Sequence, residues 1–206
     1  MGLILGKITV ETPKHEILAS TNDYEIRKYP PSVIAEVTYN PSEMKDNKDG
    51  GFPILANYIG ALGKPQNTKS EPVAMTAPVI TQTQKPENPS SETIAMTAPV
   101  ITKQDSNDSG IVTMQFILPA KYSKAEDAPK PLDERVVIKE EGEKKFGVVK
   151  FSGFVNDGIV KEKVERLKNE LEKDGYKVIG DYLLARYNPP WTIPFLRTNE
   201  VFLPVE

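Results

Sequence analysis

The chain has no cysteine, and His15 is the single histidine among its 206 residues. Without cysteine it can form no disulfide framework, no thiolate metal site and no cysteine nucleophile. A metal site built from several histidines is excluded, and a histidine-based catalytic triad would have to use His15. The charged residues around His15, close to the N-terminus, are typical of a solvated side chain.

Long apolar runs and an excess of positive charge are missing as well. No stretch approaches the ~20 apolar residues that a membrane-spanning helix needs, and residues 1–7 lack the apolar core of a secretory signal. The net charge is −3 without a long basic run, which argues against a nucleic-acid-binding surface. We therefore expect a cytoplasmic protein with no integral membrane segment and no nucleic-acid partner.

The sequence contains one segment written twice. SEPVAMTAPVIT covers residues 70–81 and SETIAMTAPVIT covers residues 91–102. Small or apolar residues on both alternating faces predict a buried strand in each copy, and the polar residues 82–90 predict an exposed loop. We interpret the pair as an inserted β-hairpin over about residues 70–102. It is either an edge extension without chemistry or, through Met75 or Met96, a contact for a flat apolar ligand.

The rest of the chain repeats one order of elements. Each half reads strand, strand, helix, strand, strand, with the clearest helical pattern over residues 157–175 and a shorter one over residues 52–62, ending at Gly63. In the longer helix the apolar stripe is Val160, Val164, Leu167 and Leu171, and Asp157 suits the N-cap. Neither half alone can bury its apolar face, so we expect the halves, about 12–120 and 130–206, to share one core. The predicted fold class is α+β: a single domain over 1–206 in which two antiparallel half-sheets curve into a distorted barrel with two helices packed outside.

Several short motifs together resemble the SOUL haem-binding family. YEIRKYPPSVIAEVTY, NYIG, AMTAPV, LARYNPPW and RTNEVFLP occur in the order expected of that family, and the resemblance runs from about Thr12 to Glu206. The doubled MTAPV is similar to the plant and algal cytosolic-type members. The resemblance implies a distorted β-barrel of two pseudo-symmetric ββαββ halves, similar to the effector-binding domains of bacterial multidrug regulators. It also implies reversible binding of haem or another tetrapyrrole, without enzymatic turnover.

The resemblance further implies where the tetrapyrrole lies. A surface groove beside the first helix would take its walls from that helix and from the loop before the last strand. In this chain the expected contacts are Phe52, Ala56 and Ile59 on the helix, and Trp191 and Phe195 on the loop. Large apolar side chains held between prolines suit stacking against a porphyrin plane.

Charged residues refine this expectation. Some members of the family carry a histidine after the YEIR motif, where this chain has Lys28. A protonated lysine cannot ligate iron, so Lys28 is expected to contact the cofactor without binding its metal. Binding is therefore expected to rest on apolar contact, with no obligatory axial histidine and no protein metal ligand. The two propionates of a tetrapyrrole need cations, for which the chain offers Arg197 and the flanking lysines Lys45, Lys48 and Lys64.

The predicted function is a haem or porphyrin carrier or buffer that acts as a monomer or weak oligomer and is not an enzyme. One alternative is an interaction module whose inserted hairpin and NPPW loop bind a protein partner or a membrane surface. Another is a small-molecule hydrolase, which would need an acid or base in the groove. Glu36 and Asp181 are candidates for that role, but the sequence identifies no partner for either.

Overall fold

The computed structural model describes residues 8–44, 47, 49–84, 110–189 and 191–206. The described elements are nine strands and two α-helices, joined by loops with three short 3-10 turns. In chain order they are β1 (Glu16–Ser20), β2 (Glu25–Tyr29), β3 (Ser32–Tyr39), α1 (Gly51–Ile59), β4 (Val79–Gln84), β5 (Ile111–Ile117), β6 (Val136–Glu141), β7 (Lys144–Phe151), α2 (Asp157–Lys173), β8 (Leu183–Arg186) and β9 (Asn199–Pro204).

The strands form one curled antiparallel sheet in the order β1-β2-β7-β9-β8-β4-β5-β3-β6. The two halves occupy equivalent places in it. β4 and β8 pair at the centre, β5 and β9 flank them, and β3 and β7 come next. The first strand of each half, β2 or β6, is exchanged and pairs with the other half. This half-barrel with two helices confirms the predicted α+β class, and β1 is an edge strand that the sequence pattern did not predict.

Helix α1 covers the half of the sheet that contains β3 and β5. Leu55, Tyr58 and Ile59 are buried against Val37 and Met114 of those strands. The helix ends at Gly60, whose φ of +84° favours glycine, rather than at Gly63 as predicted. A side chain at Gly60 would also collide with Pro65.

Helix α2 covers β7 and β9 in the other half. Its buried residues are Val160, Leu167 and Leu171. They are the first, third and fourth positions of the predicted apolar stripe. The side chain of Asn156 caps the helix by accepting a hydrogen bond from the amide of Ile159, whereas the sequence favoured Asp157 as the cap. Both helices therefore lie on the same side of the curled sheet.

The first copy of the repeated segment is a strand only in its last part. Residues 73–78 have no strand pairing apart from a bridge between Thr76 and Glu11, and β4 begins at Val79. Met75 is 44% exposed, while Val73 and Ala77 are buried. The second copy lies outside the described residues, so the inserted hairpin and the role of Met96 stay predictions.

Candidate ligand-binding site

The two faces of the sheet have different partners. Alternation along β3 directs Val33, Ala35 and Val37 toward α1, while Ile34 points to the opposite side. We call the side covered by α1 and α2 the outer face and the opposite side the inner face. Because the sheet curls, apolar side chains from both halves converge on the inner face.

The inner face contains a cavity of about 630 Å³. This volume lies within the range of about 300–1,000 Å³ that is usual for small-molecule sites. The segment 11–14, the Pro30-Pro31 turn and the loop 118–123 form its rim. The strands and the residues next to them contribute an apolar and aromatic wall: Tyr29, Ile34, Ile80, Ile117, Phe146, Leu183, Tyr187 and Phe202.

Three rings make one side of this wall rigid. Tyr29 packs edge-on against Phe146 and Phe202, with ring centroids 5.9 Å and 5.8 Å away, and the two phenylalanines are 5.5 Å apart. Edge-to-face contacts at these distances are favourable beyond the apolar area that they bury. The cavity therefore offers preformed aromatic surface to a flat apolar ligand.

A buried ionic group lies beside the aromatic wall. Arg27 Nη1 donates to both carboxylate oxygens of Glu200 at 3.1 Å, and Tyr187 Oη donates to Glu200 Oε2 at 2.5 Å. Burial, followed by the charge of Glu200, raises the pKa of Tyr187 far above the ordinary value. Burial likewise raises the pKa of Tyr29 to about 12. Both tyrosines in the wall are therefore neutral hydroxyls at neutral pH.

Two lysines reach the cavity. Lys144 forms an ion pair with Glu141, and both residues line the cavity. Lys14 is exposed on the N-terminal segment, and within the described part of the chain it forms no ion pair. Lys14 is thus available to a negatively charged group on a ligand.

The predicted helix residues lie away from this cavity. Ala56 and Ile59 are 0% and 3% exposed and belong to the core between α1 and the sheet. Phe52 is partly buried and packs edge-on against Phe116, with ring centroids 5.5 Å apart. None of the three is among the residues that line the cavity.

The predicted loop residues form a separate apolar surface. Trp191 is 67% exposed and Phe195 is 71% exposed, with Phe154 of the neighbouring loop at 63%. Arg197 Nε donates to the carbonyl of Thr192 at 2.8 Å, and its guanidinium lies 5.3 Å from the Phe154 ring centroid. We call Phe154, Trp191 and Phe195 the loop patch.

One contact brings this loop close to α1. Arg186, at the end of β8, donates to Asp49 just before α1 at 2.5 Å. The loop before β9 therefore starts near the N-terminus of α1, as a groove between them would require. The structure describes no direct contact between the loop patch and Phe52.

The predicted charged residues are dispersed. Lys28 lies on the outer face and pairs with Glu143 at 3.0 Å, and Lys64 is exposed after α1. Lys45 and Lys48 lie outside the described residues. Glu36 accepts hydrogen bonds from Gln115 at 2.7 Å and from Lys139, Asp181 is exposed, and neither carboxylate lines the cavity.

Comparison with known families shows which family the chain belongs to. The sequence pattern of the family described as "SOUL heme-binding protein" matches residues 10–90 and 83–204. The chain belongs to the SOUL haem-binding family. Each matched region includes one copy of the repeated segment, as expected when a second copy is added to a chain that otherwise follows the SOUL pattern. Comparison with curated proteins found no match.

Solved structures share the fold at low sequence identity. The EcmrR C-terminal domain has a TM-score of 0.57 at 11% identity, covering 89% of this chain and 98% of its own. An uncharacterized conserved protein from Listeria innocua has a TM-score of 0.57 at 14% identity, covering 91% and 94%. A hydrolase from the same organism has a TM-score of 0.53 at 12% identity, covering 92% and 94%. At this identity the likeness concerns the fold.

Sequence reasoning missed the inner-face cavity for a topological reason. The pattern along each strand identifies which residues share a face, but the cavity combines residues from both halves. Their meeting depends on the exchange of β2 and β6 and on the central pairing of β4 with β8. Pairs such as Phe146 with Phe202 follow from strand order, which a single sequence does not reveal.

Two further features are absent from the part of the chain that the structure describes. No three histidine, aspartate or glutamate side chains converge there to hold a metal ion. No helix in the same ranges has the length and apolar character needed to cross a bilayer.

Proposed function

We propose that this SOUL-family chain binds haem or another tetrapyrrole reversibly in the inner-face cavity and acts as a carrier or buffer. The observation that carries the proposal is a preformed cavity of about 630 Å³ with an aromatic and aliphatic wall in a member of a haem-binding family. Porphyrin faces are large and apolar, so they gain most from such a wall.

Apolar contact alone supplies an affinity suited to reversible binding. Burying about 300 Å² of porphyrin surface contributes roughly 7 kcal/mol before the costs of association. That corresponds to dissociation constants in the micromolar range or weaker. The exposed Lys14 at the rim is placed to pair with a propionate, which adds a charge-assisted contact. A carrier needs this combination of a specific cavity and ready release.

The groove between α1 and the loop before β9 is the alternative location. Its proposed contacts are Phe52, Ala56, Ile59, Trp191 and Phe195, with Arg197 and Lys28 as the charged residues. The exposure of Trp191 and Phe195 favours this location, whereas the burial of Ala56 and Ile59 leaves little of the helix available. We therefore place the ligand in the cavity first.

Titration with protoporphyrin IX tests the proposal and its location. Ile117 is a partly buried wall residue, so Ile117→Trp fills the cavity, while Trp191→Ala removes the indole of the loop patch. Porphyrin emission and thermal unfolding are followed for both variants and for the unmodified chain. We expect Ile117→Trp to lose binding while remaining folded, and Trp191→Ala to bind as the unmodified chain does.

Two outcomes would change the assignment. Loss of binding only in Trp191→Ala moves the ligand to the groove beside α1. No change in porphyrin emission with the unmodified chain at tens of micromolar contradicts the tetrapyrrole proposal itself.

A second candidate function rests on the loop patch. Three aromatic side chains more than 60% exposed on adjacent loops are unusual for a surface without a partner. They favour an interaction module that binds a protein or a membrane surface. Trp191→Ala combined with Phe195→Ala should then abolish partner or vesicle binding and leave porphyrin binding intact.

A further inference from the structure

We infer that residues 8–14 form a strap across the mouth of the inner-face cavity, and that this strap must detach before a ligand can enter or leave. We call these residues the strap. The inference rests on the proposed function, because it concerns the same cavity. It deepens that function by assigning the structural step that controls uptake and release.

The strap connects the two halves of the curled sheet across the inner face. At one end it leads into β1, the first strand in the sheet order, which pairs with β2. At the other end Glu11 forms a bridge with Thr76, which lies just before β4. Strands β2, β7, β9 and β8 separate β1 from β4 in the sheet. A direct connection between these two places therefore passes over the cavity instead of following the strands.

The strap is part of the enclosure around the proposed ligand. Residues 11–14 line the cavity together with wall residues such as Tyr29 and Ile117. A flat ligand in contact with that wall lies beneath the strap. The strap also carries Lys14, the cation placed to pair with a propionate. Detachment of the strap therefore removes the cover and the charged contact in one movement, which favours release.

Two hydrogen bonds hold the strap in place, and both use Glu11. The amide of Ala77 donates to the Glu11 carbonyl at 2.9 Å, and the amide of Ala120 donates to the Glu11 carboxylate at 3.0 Å. Within the described part of the chain, the strap makes no other hydrogen bond to the fold, and none of its residues is buried. A segment with little buried area and exposed hydrogen bonds opens at a much lower free energy than the whole fold. The strap can therefore open while the sheet stays intact.

A reversible disulfide tests whether the strap must detach. The chain has no cysteine, so Glu11→Cys combined with Thr76→Cys introduces a single pair, at positions that already form a bridge. Stopped-flow fluorescence follows the uptake of protoporphyrin IX and its transfer to excess serum albumin. We expect oxidation to slow both processes roughly tenfold or more, and dithiothreitol to restore them.

Each single-cysteine variant, oxidised in the same way, is the matched control and should show no slowing. Equal rates in the oxidised and reduced double variant would show that the ligand uses another route, and would overturn the inference while leaving the proposed function standing.

Glu11→Ala tests the opposite change. It removes the carboxylate that holds the Ala120 amide and keeps the backbone hydrogen bond, so release of protoporphyrin IX should be about threefold faster or more. Glu16→Ala is the control, since Glu16 is an exposed glutamate of β1 that does not line the cavity. Equal release rates in the two variants would contradict a role of Glu11 in holding the strap.

Amide hydrogen exchange tests the strap without any ligand. The amide of Ala77 is protected by the strap, whereas the amide of Leu118 donates to the carbonyl of Val33 within the core. Ala77 should therefore exchange much faster than Leu118. Equal exchange rates would show that the strap opens only when the whole fold unfolds, and would overturn the inference.

An apolar dye separates failure of the inference from failure of the proposed function. If protoporphyrin IX does not bind, the proposed function fails, and the oxidised and reduced double variant is then compared with 8-anilinonaphthalene-1-sulfonate. Slower dye uptake in the oxidised protein supports the strap as a gate to the cavity. Unchanged dye uptake, or no dye binding, overturns the inference as well.

Discussion

Arg27 and Glu200 form a buried ion pair that joins β2 to β9 across β7. One guanidinium nitrogen lies 3.1 Å from both carboxylate oxygens, and both side chains are less than 10% exposed. Glu25 also accepts from Arg27 at 2.6 Å, and Tyr187 donates to Glu200. The pair connects β2, the exchanged strand of the first half, with β9, the last strand of the second half. It therefore links the two halves beneath the aromatic wall.

Removal of one partner of this ion pair should therefore lower the free energy of unfolding. Glu200→Ala leaves the buried Arg27 with a single carboxylate and removes the acceptor of the Tyr187 hydroxyl, so we expect a loss of about 3 kcal/mol in the free energy of unfolding. Urea denaturation measures it. Glu172→Ala is the control, since Glu172 and Lys168 form an exposed pair at 3.8 Å whose loss should cost about 0.5 kcal/mol or less. Equal effects of the two substitutions would contradict this view of the network.

Prediction from sequence succeeded where local pattern decides the structure. The stripe that contains Val160 and Leu171 defined α2, and the repeated order of elements gave the α+β class and the two halves. Helix ends were less certain, because Asn156 and Asp157 are both good caps and Gly60 and Gly63 both allow a left-handed turn. The cavity was out of reach, since Tyr29 and Phe202 meet only through strand order. His15 was judged solvated, which agrees with its exposure, but its stacking on Tyr29 depends on the unpredicted strand β1.

The contact between α2 and β7 depends on a glycine. A Cβ built on Gly147 would lie 2.6 Å from one terminal carbon of Leu171, which is fully buried. Gly147→Ala should therefore lower the free energy of unfolding by about 1–3 kcal/mol through overpacking. Leu171→Ala should cost about 2–5 kcal/mol by leaving a cavity.

A double-mutant cycle checks this contact. In the Leu171→Ala background the added methyl group of Gly147→Ala has space, so the second substitution should be neutral or stabilising. Urea denaturation of the four proteins gives the coupling. Additive costs would show that α2 does not lie directly on Gly147.

Buried tyrosines make the fold sensitive to alkaline pH. Burial raises the pKa of Tyr29 from 10.0 to about 12, and burial is also the largest cause of the raised pKa values of Tyr58 and Tyr187. Between pH 10 and the raised pKa of each tyrosine, the folded chain holds more protons than the unfolded chain. The free energy of unfolding therefore decreases as the pH rises. The contribution of Tyr29 should be complete below pH 10 and lost progressively from about pH 10 to about pH 12.

Urea denaturation at a series of pH values measures this dependence. The free energy of unfolding of Tyr29→Phe should decrease less steeply over that interval, because one of the groups with a raised pKa is absent. An equal slope in both proteins would contradict the assignment of a raised pKa to Tyr29.

The repeated segment allows a test of which copy the fold requires. The first copy supplies the start of β4, which pairs with β5 on one side and β8 on the other. Gln84 lies opposite Ile111, so the connection between these strands starts and ends at neighbouring positions. Replacing residues 86–108 with a short glycine-containing turn should therefore keep the fold. It should raise stability by about 1 kcal/mol, because each halving of a loop saves roughly 0.6 kcal/mol.

Deletion of residues 70–90 is the reciprocal experiment. It places SETIAMTAPVIT directly after Lys69, which restores the local sequence of the first copy except for a threonine in place of Pro72 and an isoleucine in place of Val73. Val73 is 4% exposed, so the extra methylene should cost about 1–3 kcal/mol, and the variant should still fold. Thermal unfolding and near-ultraviolet circular dichroism follow all variants.

Because β4 lies at the centre of the sheet, deletion of residues 70–102 should prevent folding; a folded protein without either copy would show that another segment can take the place between β5 and β8.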